Sequence, residues 1–141
     1  MEIEMTQHTT NYFNSFIQVS PDCTAVVGTV PTRAGTVAAM QYERLVDAPY
    51  QVTSDQLLFG IHADRRALSG QERDQAKQEF FLKGQPCMRA SPLVKTFGFG
   101  VHHDENGRIA IYPVEGEQYA KFASDNNLEI IKGMRSKRKG S

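Results

Sequence analysis

The chain has 141 residues, 40% of them hydrophobic and 23% charged, with 16 basic and 16 acidic side chains that cancel. That length suits one domain with a sizeable core and is too short for two ordinary ones. The composition excludes a disordered, collagen-like or membrane-spanning chain, and no run approaches the ~20 apolar residues that a spanning helix needs.

The charge is uneven along the chain. All the acidic residues precede Lys132, while Lys132, Arg135, Lys137, Arg138 and Lys139 cluster at the end, so the expected division is a single domain over 1–131 and a basic tail over 132–141. Such a tail reads either as a solvated terminus or as a contact for nucleic acid or an acidic partner. Glu2 and Glu4 stand where a signal peptide would carry basic residues, which points to a cytoplasmic protein without a membrane partner. Cys23 and Cys87 are too few and too far apart for a disulfide framework and are expected as free thiols.

Residues 12–19 are aromatic and β-branched, Pro21-Asp22 signals a turn, and 24–30 is again strand-like, so a first hairpin is expected there. Thr36 can cap a helix over 37–47 with Ala38, Ala39, Tyr42, Leu45 and Val46 on one stripe. The next segment is ambiguous: Leu57, Leu58, Ile61 and Leu68 share a helical face, yet Leu57, Phe59, Ile61 and Ala63 alternate as a strand would. The capping-box pattern of Thr53 and Gln56 favours the helix. Ser69 and Glu72 repeat that pattern ahead of a helix that ends by Gly84.

Residues 95–103 and 108–114 flank Asn106-Gly107, which suits a type I′ hairpin turn. A two- or four-residue turn places Ala110, Tyr112 and Val114 with the aromatic set Phe97, Phe99, Val101 and His103, and Ile109, Ile111 and Pro113 with Gly98, Gly100 and His102. Tyr119, Phe122 and Ala123 suggest a short helix, and 128–134 could be helix or strand. Two hairpins interleaved with three to four helices make an α+β domain.

Chemistry concentrates in residues 80–103, which hold no acidic side chain but contain Lys83, Arg89 and Lys95. The long connection 84–94 supplies Cys87, Arg89 and Ser91, and loops of that length are often functional. Gly98 and Gly100 leave a strip without side chains where a ligand or another element comes close. The functional reading puts a ligand over that strip, with His102 as acid, base or donor and Arg89 or Lys83 on an anionic group. The structural reading packs a helix on the glycines. Cys87 reads either as a nucleophile, given a neighbour that favours its thiolate, or as a buried thiol. HEXXH, paired CxxC, Walker and GxSxG motifs are absent, so no metal or cofactor is expected.

The stretches NYFNSFIQVSPDC and FFLKGQPCMRASPLVKTFGFGVHHDENGRIAIYPVEG, with the ending MRSKR, resemble a family of small uncharacterised bacterial and fungal proteins, a domain of unknown function. The pattern is most specific in the KGQPC-R-SPL-K block and the hairpin after it, where the family often carries Trp at the position of Phe99. The resemblance implies no reaction, substrate or cofactor. The expected function is therefore binding of an anionic small molecule or peptide group by residues 83–102, with an adaptor acting through the tail as the alternative.

Overall fold

A computed structural model describes residues 7–136 of the chain. Strands β1 (Ser15–Gln18), β2 (Phe99–His103), β3 (Ile109–Pro113) and β4 (Glu129–Lys132) join in one mixed sheet of order β3-β2-β1-β4. β1 pairs antiparallel with β2 and parallel with β4, and β2 pairs antiparallel with β3. Helices α1 (Val37–Leu45), α2 (Ser54–Arg65), α3 (Gly70–Phe80), α4 (Pro92–Lys95) and α5 (Glu117–Ala123) complete an α+β fold, with a 3-10 turn at Met88–Ala90 leading into α4. No helix among the described residues is long and apolar enough to cross a membrane.

The first hairpin does not form. Both edges of β1 are occupied, by β2 and β4, so its backbone has no bonds left for a returning strand. Residues 24–30 instead run irregularly across the start of β2, where the Thr29 amide donates to the Phe97 carbonyl at 2.8 Å. Among the described residues the fold thus holds one hairpin and five helices in place of two hairpins and three to four helices. β4 settles the ambiguity of 128–134 as a strand. The bonds from the Gly133 amide to the Gln18 carbonyl and from the Met134 amide to the Arg89 carbonyl carry the body of the fold past residue 131.

The second hairpin forms with the opposite face assignment. Asp104 pairs with Arg108 around a three-residue loop, in which the Gly107 amide donates to the Asp104 carbonyl and only Gly107 is left-handed, at φ +78°. That is a type I turn closed by a left-handed residue instead of a type I′ turn, and its odd length inverts the parity of β3. Val101 therefore opposes Ile111 and His103 opposes Ile109, while Gly100 opposes Tyr112 and His102 opposes Ala110.

The two faces of the sheet are covered differently. Ile17, Phe99, Val101 and Ile109 meet Leu45 of α1, Leu57 and Ile61 of α2, and Leu93 and Val94 at α4 in the main core. Each fully buried side chain of this kind contributes roughly 1.5–3 kcal/mol. On the opposite face Phe16 packs against Tyr119 and Phe122 of α5.

Both local signals for α2 have a structural origin. Thr53 and Gln56 form the full capping box, while the helix buries Leu57 and Ile61 in the main core and Phe59 and Ala63 in a second cluster with Phe81. A helix buried on two sides blurs the single-stripe pattern. Ser69, by contrast, makes no side-chain cap for α3. Gly70 enters that helix at φ +56°, which turns the chain away from the geometry a capping box needs.

Candidate functional site

Three short-range devices shape a cavity of about 260 Å³ between α1, α2 and the 85–92 loop. Thr36 caps α1 by accepting from the Ala39 amide at 3.2 Å, and the Thr53 capping box starts α2. Ser91 starts α4, accepting from the Leu93 amide at 3.1 Å with Pro92 at the first helical position. The loop after α3 is closed by Gln85, whose amide nitrogen donates to the Phe80 carbonyl at 2.7 Å.

The cavity walls are mostly apolar, with Leu58, Ile61, Phe80 and Pro92 prominent. Four uncharged polar side chains join them: Gln41, Gln85, Cys87 and Ser91. The Ser91 hydroxyl donates to Gln41 Oε1 at 2.6 Å, a buried bond that ties the loop to α1. Cys87 Sγ lies 3.3 Å from the Tyr12 hydroxyl. Burial, followed by that contact with Cys87, pushes the Tyr12 phenol up to about 12. Two basic side chains of α2, His62 and Arg65, also line the cavity. Burial lowers the His62 pKa, with Arg66 adding to the effect, so its ring is neutral near pH 7 and Arg65 is the standing positive charge.

The other expected site residues are dispersed. Lys83 is exposed on a neighbouring groove of about 410 Å³ that shares His62, Phe80 and Gln85 with the cavity. The Arg89 guanidinium donates through Nε to the Lys132 carbonyl at 2.8 Å, holding the end of β4. Of the basic end of the chain, Lys132 and Arg135 are exposed, and Lys137, Arg138 and Lys139 lie outside the described residues.

The strip at Gly98 and Gly100 is covered by the protein itself. A Cβ on Gly100 would sit 2.6 Å from both Phe16 and Tyr119 and 2.9 Å from the Ile17 carbonyl, and one on Gly98 would sit 2.7 Å from the Val27 carbonyl. No ligand can lie over Gly100, because the aromatic rings of β1 and α5 already occupy that space. His102 is half-buried on the same face, stacked on Phe122 at 4.0 Å and 9°. Its Nδ1 lies 2.8 Å from the Tyr50 hydroxyl, which lies 2.8 Å from the Tyr112 hydroxyl. Cys87, Arg89 and His102 therefore do not converge, since the partners of His102 are on the α5 face and Cys87 opens on the α1 and α2 side. Tyr50 adopts φ +61°, a strained conformation for a bulky residue, and its amide donates to the Ile109 carbonyl at 2.8 Å.

Sequence reasoning passed over Gln41 and Arg65. Gln41 had a legible signal: it falls three residues after Ala38 and four before Leu45, inside the buried stripe of α1. A polar residue at such a position needs a partner. Arg65 had no signal that separates it from any exposed arginine at a helix end.

Fold and cavity together define an α+β domain with a small apolar cavity between its helices and the loop before α4. The chain belongs to DUF6157, a family of unknown function, which it matches over residues 7–139. Neither a curated protein nor a solved structure matches the chain.

Proposed function

We propose that the cavity between α1, α2 and the 85–92 loop binds a small anionic molecule. Its apolar body would lie against Leu58, Ile61 and Phe80 and its charge at Arg65. The observation that supports this reading is the combination of apolar walls with few polar groups and one standing cation in a concave space of about 260 Å³. Arg65 has no acidic partner among the described residues, where both ion pairs, from Arg44 and Arg73, go to Asp64. The reading also takes the protein to work in the cytoplasm, where thiols such as Cys23 and Cys87 stay reduced.

Native mass spectrometry of the freshly purified chain, set against its denatured mass, tests the reading together with Leu58→Trp, which fills the cavity. An added mass that leaves on denaturation and is missing from the Trp variant is the expected result. An adduct retained by a Leu58→Trp protein with unchanged far-UV circular dichroism would place the ligand elsewhere.

A further inference from the structure

Gln41 is 2% exposed and lines the cavity, and its amide nitrogen has no protein hydrogen-bond partner among the described residues. The direction of its one hydrogen bond follows from its neighbours. Ser91 Oγ accepts from the Leu93 amide and gives its own proton to Gln41, whose amide oxygen faces it. The Nε2 group, with two N–H donors, then has no partner among the described residues. Among the described residues the fully enclosed polar side-chain atoms without a partner are both on His103, so Gln41 Nε2 is open to the cavity, and an occupant that supplies an acceptor there gains a hydrogen bond.

The chemistry around Gln41 limits that acceptor. An ionised carboxylate buried against an amide, without a cation beside it, loses more in desolvation than it recovers. Arg65 is exposed, so it can hold a charge only where the cavity meets solvent. The walls between are apolar and reward a hydrocarbon spacer.

We propose that the ligand is a carboxylic acid carrying a second, neutral carbonyl, an oxo acid or N-acyl amino acid, with that carbonyl on Gln41 Nε2 and the carboxylate at Arg65. This rests on the cavity reading above and adds the class of ligand to it.

The test is isothermal titration of the full chain with three probe sets: methyl-ketone carboxylates of five to nine carbons, simple carboxylates of matching length, and 2-alkanones. The oxo acid of best-fitting length binds about ten-fold more tightly than its simple carboxylate, the factor expected of one buried hydrogen bond. Gln41→Met removes that preference and leaves carboxylate affinity in place, while Arg65→Gln weakens both acids and leaves the ketone unaffected. Equal affinity of the wild-type chain for oxo acid and simple carboxylate overturns the assignment of Gln41 but keeps an anion-binding cavity. A 2-alkanone that binds as well as the oxo acid removes the role of Arg65, and no binding by any probe overturns both readings. The comparison among ligands on the wild-type chain decides the matter even if Gln41→Met fails to fold.

Discussion

His102 and His103 are adjacent in the chain and lie on opposite faces of the sheet. His103 is fully buried on the core face, edge-on to Tyr12 at 5.3 Å, with neither ring nitrogen hydrogen-bonded among the described residues. The Val101 backbone lies near enough to favour the protonated ring without completing a bond, and burial dominates, taking the pKa down to about 4. His102 is half-buried on the α5 face, bonded to Tyr50 and stacked on Phe122. Its pKa is also lowered by burial, but Asp104 and Asp125 oppose the shift. The period of two along a strand separates the pair, and what each face packs against does the rest.

The largest expected effect comes from His103. In the unfolded chain it protonates near pH 6.5, whereas in the fold it stays neutral to about 4, so the unfolded state takes up the proton first. Stability is complete above about pH 6.5 and falls toward pH 4, by on the order of 3 kcal/mol at the limit. His62 and His102 add drops of the same sign. Urea unfolding at pH 7 and pH 4.5 measures the loss, and His103→Leu should remove most of it; a variant as acid-sensitive as the parent would break the contrast between the two histidines.

Next comes the surface beside His102. Gly100→Ala places a methyl group against Phe16, Tyr119 and the Ile17 carbonyl, and since the carbonyl belongs to the sheet it cannot withdraw. Overpacking of this kind costs about 2–3 kcal/mol. A thermal melt of Gly100→Ala that matches the parent would mean the strip is open and could hold a ligand after all.

The smallest effect belongs to the hydroxyl chain. Tyr50→Phe keeps the ring and deletes both 2.8 Å contacts, to His102 and to Tyr112. With each half-exposed bond contributing about 0.5–1.5 kcal/mol, the denaturation midpoint should fall modestly without a change in cavity binding. Altered affinity in that variant would link the α5 face to the cavity.

The elements were largely readable from short-range signals. Thr36 and Thr53 cap the helices they were expected to cap, and Asn106-Gly107 lies in the loop of the β2–β3 hairpin. The failures have definite causes. A three-residue loop in place of two or four exchanged the faces of β3, and β1 found its partners more than eighty residues away instead of in 24–30. Of the expected site, Cys87 and Ser91 reach the cavity, while Lys83, Arg89 and His102 are placed by packing that no local pattern encodes.

By itself, then, the amino-acid sequence determined an α+β chain with its helices nearly in place, because caps, turns and periodicity depend on residues a few positions apart. The tertiary structure alone decided which histidine is dry, that the glycine strip is filled by Phe16 and Tyr119, and that Gln41 faces a cavity with a spare amide. Those outcomes depend on contacts between distant segments, where closing the chain on itself, and not local preference, selects each neighbour.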